Sequence, residues 1–211
     1  MIYFDSAATT LQKPPEVARR TAAAMGSYSS VGRGGHPAAM AVYRCRELAG
    51  RLFDAEPEQV IFTMNATHGL NIAIRSLVRP GGRVVVSGFE HNAVMRPLHA
   101  LGAQTEIAGR RLFDPSDTLA QFDRLITPEV QAVVCTCVSN VFGYILPYDE
   151  IAAFCRQRGI PLILDASQAA GALPLSLKNS GADFIAMPGH KGLYGPQGTG
   201  ILICCNDNDL Y

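Results

Sequence analysis

The residues most able to do chemistry lie near the end of the chain, where Lys191 sits in GHKGLYGPQGTG (189–200) directly after an apolar run. A lysine among closely spaced glycines suggests a phosphate-binding loop. A nucleotide P-loop, however, has its glycines before the lysine and a Ser or Thr after it. Here the lysine leads and Gly192 follows, so the order is wrong, and on its own such a lysine reads as a solvated cation. Asp165 in ILDASQAAG (163–171) changes the weighing. It ends a strongly apolar stretch, the place where open α/β sheets hold their ligands. A carboxylate buried there is costly without a cationic partner. Asp165 or Ser167 could simply cap the next turn. Alternatively, the carboxylate could hold a protonated ring nitrogen such as that of pyridoxal phosphate (PLP), making the ring a stronger electron sink. Lys191, closing another apolar run, could reach the same ligand, and the pair is more informative than either residue.

Five segments, FDSAATT (4–10), EHNAV (90–94), VSNVFG (138–143), DASQAAG (165–171) and GHKGLYGPQGTG (189–200), occur in this order across nearly the whole chain. Together the chain resembles the class V aminotransferase-fold enzymes, and within them the cysteine desulfurases. The resemblance implies pyridoxal 5'-phosphate as cofactor, held covalently by Lys191, which would also shuttle a proton. Asp165 would pair with the pyridine nitrogen, Gln168 would hydrogen-bond the phenolic oxygen, and Asn140 would approach the same side of the ring. His91 would stack on the ring face and help move protons; read alone, it is a solvated residue starting a helix. His190 would contact the phosphate. TMNATHGLN (63–71) runs from a strand into a helix, whose free N–H groups suit an anion. Ala66 and Thr67 stand where the family's phosphate contacts fall, although an ordinary Asn or Thr cap would look the same. Pro188 departs from the family pattern, in which a serine often donates to the phosphate, because proline offers neither hydroxyl nor N–H. His68 stands where an acidic residue is common and receives no role.

These residues need a frame. Strand candidates are 59–64, 83–88, 104–109, 131–137, 160–166, 182–188 and 199–205, several of them continuously apolar, as in a parallel sheet covered on both faces. Helix candidates lie near 66–79, 91–102, 115–126 and 148–158, the last begun by Pro147 with Asp149 near its positive end. Helical spacing also marks 38–53, and Pro14 and Pro15 open a helix reaching about Met25. The glycine-rich loop 27–36 between them carries Arg33 and His36 and could face a site or simply be a solvated turn. The alternation predicts an α/β fold, a mostly parallel sheet with helices on both faces. With the resemblance, this becomes the large domain of a fold-type-I PLP-dependent transferase. Residues 1–30 would form an N-terminal segment and 31–211 an incomplete PLP-binding domain.

Bulk composition narrows the partners. With 18 basic and 18 acidic side chains the formal net charge is zero, giving no electrostatic reason to expect nucleic acid or an anionic membrane. No secretory signal or membrane-length apolar run is evident, so a cytoplasmic location is expected. The six cysteines, at 45, 135, 137, 155, 204 and 205, lack metal-site spacing, and no metal is expected. Four lie in apolar strand-like runs and read as small buried residues.

Family members run considerably longer. The resemblance therefore implies an N-terminal portion, with the small domain, the persulfide-forming cysteine and the arginine that grips the substrate carboxylate falling after Tyr211. None of the six cysteines matches the catalytic one. The expected reaction is conversion of L-cysteine to L-alanine, with sulfur passed to a thiol and on to an acceptor protein, in a full-length homodimer. Another class V reaction, selenocysteine cleavage, or a non-catalytic PLP-binding remnant are the alternatives. A nucleotide-binding protein ranks lower, lacking a glycine-rich turn after a first strand.

Overall fold

The computed structural model describes residues 2–27, 31 and 36–205, with no side-chain description at His36. Arg33 and the side chain of His36 thus lie outside the described residues, and the two readings of their loop stay open.

Seven strands form one sheet: β1 (Val60–Thr63), β2 (Arg83–Ser87), β3 (Gln104–Ala108), β4 (Val130–Thr136), β5 (Leu162–Asp165), β6 (Phe184–Pro188) and β7 (Gly200–Cys204). Each falls inside or within a residue of an expected strand. Six helices also match expectation: α1 (Pro15–Ser27), α2 (His36–Phe53), α3 (Ala66–Leu77), α4 (Asn92–Ala100), α5 (Pro115–Leu125) and α6 (Tyr148–Arg158). A four-residue helix α7 (Leu177–Ser180) and a 3-10 turn at Pro57–Gln59 were not foreseen. Neither is long enough to display a period.

Local chemistry starts and stops these helices. Asp114 accepts from Asp117 N–H at the start of α5, with Pro115 at the first helical position. Asn65 does the same for α3 through His68 N–H, and Gly159 ends α6 in the left-handed conformation.

The strand order is β1-β7-β6-β5-β4-β2-β3. β2 through β6 are mutually parallel, whereas β7 runs antiparallel to both β1 and β6. The link from β6 to β7 contains no helix, so the chain returns beside β6 in the opposite sense rather than crossing over.

Alternate residues of each strand face opposite layers. Val85, Val133, Cys135, Leu164 and Ile185 pack with Phe122 of α5, Ile151 of α6 and Phe53 of α2. Val84, Val86, Val134, Ile163 and Phe184 pack with Leu70 and Ile74 of α3 and Leu98 of α4. Each large aliphatic side chain so enclosed contributes on the order of 1.5–3 kcal/mol. This is the expected α/β sandwich with helices on both faces. Cys135, Cys137, Cys155 and Cys204 are buried as free thiols; Cys205 is only half-buried and Cys45 is exposed.

The chain reverses its winding between β2 and β4. β3 lies outside β2 on one side, while β5 and β6 step away on the other. At such a switch point the loops after adjacent strands diverge and leave a crevice at the strands' carboxyl ends.

Candidate active site

That crevice is a cavity of about 450 Å³ lined by Asn65, Ala66, Thr67, His91, Asn140, Asp165, Gln168, His190 and Lys191, among others. All eight residues singled out from sequence meet there, delivered by the ends of β1, β2, β4, β5 and β6.

Asp165 is the last residue of β5 and is 3% exposed. Its Oδ1 accepts from both Ser167 N–H (2.9 Å) and Ser167 Oγ (2.5 Å). The turn-capping arrangement is therefore present, and no bond to Oδ2 occurs among the described residues. Burial pushes the carboxyl above the ordinary aspartate value; the Ser167 bonds, Lys191 and His91 pull it back. Lys191 is half-buried. Burial lowers its amine's pKa and Asp165 opposes that shift, so the neutral amine is more accessible here than in water.

Two glycines allow this approach. Gly171 has φ +80°, and a Cβ built on it would lie 2.3 Å from the Gly192 carbonyl oxygen. One on Gly192 would lie 2.3 Å from the Ala170 carbonyl oxygen. The loop after Asp165 and the loop carrying Lys191 touch backbone to backbone, which only residues without a side chain permit.

His91 is the N-cap of α4, its Nδ1 accepting from Ala93 N–H at 3.1 Å. The helix-starting reading is thus realised, and the same histidine lines the cavity. In the neutral ring the proton then resides on Nε2. His190 Nδ1 lies 3.1 Å from Thr9 Oγ1. Burial, then Lys191 and Lys13, lower its pKa, favouring the neutral ring. Its carbonyl gathers Thr10 N–H (3.2 Å), Thr9 Oγ1 (3.1 Å) and Lys13 Nζ (3.3 Å), docking the N-terminal segment onto the lysine loop. Asp5, Ala7 and Ala8 thereby join the lining. Gln168 uses its Nε2 to donate to Ala7 O at 2.9 Å. Asn140 is exposed at the rim.

At the start of α3, Asn65 Oδ1 takes His68 N–H (2.8 Å) and Asn65 O takes Gly69 N–H (3.3 Å). The N–H groups of Ala66 and Thr67 have no acceptor among the described residues, and both residues line the cavity. The cap is thus present, and it leaves these two N–H groups free. Pro188 ends β6 as a buried lining residue without a donor. His68 Nδ1 faces Met64 N–H at 3.4 Å, a local turn contact.

Sequence reasoning missed Thr136 and Val138 in the lining, and Glu90 behind it. Thr136 carries no signal beyond ending an apolar strand. Glu90 does carry one, an acidic residue three positions past a buried strand and beside His91. Among the described residues no cluster of His, Cys, Asp or Glu could hold a metal.

The model of the aminotransferase class-V family matches residues 2–209. The chain is 32% identical over 225 residues to a probable cysteine desulfurase 1 of Mycobacterium leprae, covering 98% of this chain and 36% of that protein. It is 30% identical over 220 residues to a probable cysteine desulfurase of Methanothermobacter thermautotrophicus, covering 98% and 53%. Among solved structures, the apo cysteine desulfurase of Thermococcus onnurineus superposes with a TM-score of 0.85 at 27% identity, covering 98% of this chain and 54% of that one. The chain therefore spans between about a third and about half the length of these relatives.

Proposed function

Because this chain belongs to the aminotransferase class-V family, we propose that it builds the PLP site of a cysteine desulfurase, the activity named in its relatives. The observation that carries this reading is the convergence of Lys191, Asp165 and the free N–H groups of Ala66 and Thr67 on one cavity. The donor set fits the cofactor. An amine with its pKa lowered by burial suits covalent attachment to an aldehyde. Asp165 has an oxygen left for a ring N–H, and the start of a twelve-residue helix offers N–H groups for a phosphate.

When bound, PLP supplies an electron sink for a bond broken at the substrate's Cα. Lys191 would hold the cofactor covalently, and its amine, with a pKa lowered by burial, would serve to move a proton at the substrate's Cα. Asp165 keeps the ring nitrogen protonated. Thr67, the Ala66 N–H and His190 hold the phosphate; Pro188 contributes only shape. Gln168 and Asn140 orient the ring oxygen, Gln168 from an amide anchored on Ala7. His91, which lines the same cavity, would face the ring and pass a proton through Nε2, since its Nδ1 is taken by Ala93 N–H. L-cysteine gives L-alanine while its sulfur passes to a thiolate, leaving a persulfide. The sulfur acceptor, a homodimeric assembly and a cytoplasmic location belong to the same proposal.

One observation favours a second reading of this chain by itself, as a cofactor-binding unit without turnover. None of the six cysteines lines the cavity, so the chain brings no thiol to the sulfur.

The test is the visible spectrum of the purified chain with PLP beside Lys191→Ala. An absorption band that borohydride converts to a pyridoxyl group on Lys191, absent from the variant, is expected. No band in a folded sample, or trapping on another lysine, rejects the proposal.

A further inference from the structure

Glu90 lies between Ser87, which ends β2, and His91, which caps α4. The last registered pair of the β2–β4 ladder is Val86 with Val134. On β4, Val133 N–H and Cys137 N–H point to the β5 side, donating to Pro161 O and Asp165 O. Thr136 N–H, in the alternate phase, therefore points to the β2 side, where the ladder has ended. The Glu90 side chain takes the vacated acceptor position: its Oε1 accepts from Thr136 N–H at 2.6 Å and from Ser87 Oγ at 2.5 Å. The Ser87 hydroxyl oxygen in turn accepts Phe89 N–H at 3.2 Å. Thr136 is the register partner of Asp165 on β5, so two carboxyls flank one backbone residue. Oε2 of Glu90 is buried without a partner among the described residues. The residue as a whole is half-buried, but this oxygen is closed off from solvent.

Two enclosed carboxyls this close do not both ionise at low cost. Lys191 and His91 both act on Asp165, so the charge settles there. We propose that Glu90 is a positioning residue that works as a neutral carboxylic acid, closing the open end of the β2–β4 ladder and leaving the negative charge on Asp165. Fixing Glu90 also fixes where α4 starts and hence where His91 stands. Burial, reinforced by Asp165, raises its pKa from 4.5 to about 8. The other titratable groups facing it are the thiols of Cys135 and Cys137, which burial holds well above the ordinary thiol range and hence neutral. The consequence for the ring nitrogen rests on the proposed cofactor site; the protonation of Glu90 does not.

The sign of the pH effect follows from linkage. The folded chain holds a proton that the unfolded chain releases near 4.5, so wild-type stability falls as pH rises from there towards 8. Glu90→Gln keeps an acceptor for Thr136 and Ser87 and has nothing to titrate. Denaturant unfolding of the cofactor-free chain should then show the folding equilibrium constant of Glu90→Gln gaining on wild type by about tenfold per pH unit through that window. In 13C spectra, a carboxyl signal titrating near 8 in wild type should be missing from Glu90→Gln. Glu90→Ala should be less stable at every pH, because Thr136 N–H and the Ser87 hydroxyl lose their acceptor; if it does not fold, the Gln variant and the carboxyl signal still decide. A Glu90 signal titrating at the ordinary glutamate value, or a stability gap flat with pH, overturns the proposal. Neither readout needs PLP, so loss of the cofactor reading and loss of this one are told apart.

Discussion

At the scale of single residues, four of the side chains at the site do a structural job that any fold would need. Asp165 ties down Ser167, His91 caps α4, Gln168 holds Ala7 and Asn65 caps α3. What distinguishes them is the valence left over: a second carboxyl oxygen, an Nε2, two free helix N–H groups. The electrostatics of Lys191 are testable directly. Burial lowers its pKa and Asp165 raises it, so Asp165→Asn should move the amine's titration to lower pH. In the wild type the depressed pKa makes the charged amine a cost of folding that is full below the folded value and shrinks as pH rises from there to the unfolded value of 10.5. NMR titration of 13C-dimethylated Lys191 in both proteins reads the shift, and an unmoved midpoint would mean that the two groups are not coupled.

Elements bring these valences together through backbone contact more than through side chains. The loop after β5 and the loop after β6 meet at Gly171 and Gly192. A Cβ at Gly192 has no room against the Ala170 carbonyl, and backbone does not yield as a flexible side chain would. Gly192→Ala should therefore cost about 1–3 kcal/mol in chemical denaturation and weaken PLP binding in an absorbance titration. Gly26→Ala in α1, with open space around it, should change stability by less than about 0.5 kcal/mol. Equal losses in the two variants would show that the glycine contact does not position the site. The N-terminal segment acts in the same way, since α1 buries none of its residues while Thr9, Thr10 and Lys13 all bind the His190 carbonyl.

For the whole molecule, a buried sheet core coexists with apolar side chains left in solvent. Met40, Tyr43, Leu48 and Leu52 of α2 are exposed, as are Phe62 and Met64 at the β1 edge. No cysteine lines the cavity, so the chain by itself should bind PLP yet release little sulfide from cysteine and reductant. Sulfide output per site matching that of a full-length relative would refute this expectation and require a thiol among residues placed elsewhere here.

Periodicity and punctuation were enough to read the architecture. The apolar runs are strands because both faces of the sheet are covered, and the starts of α1, α3, α5 and α6 carry Pro15, Asn65, Asp114 with Pro115, and Pro147. The strand-end aspartate and the helix start at Ala66 were legible as local features, whereas Lys191 alone reads as a solvated cation and took its role, like Gln168, Asn140, His91 and His190, from the resemblance of the ordered motifs. Three matters were decided by tertiary structure alone. β7 runs antiparallel because the path from β6 has no crossover helix, a relation between elements rather than a property of either. The N-terminal segment became part of the cavity through hydrogen bonds between Thr9 or Thr10 and His190, about 180 residues apart in sequence. Glu90 came forward only when the β2 ladder was seen to stop short of Thr136. A carboxyl's protonation depends on what encloses it, and that enclosure exists only after the chain has folded.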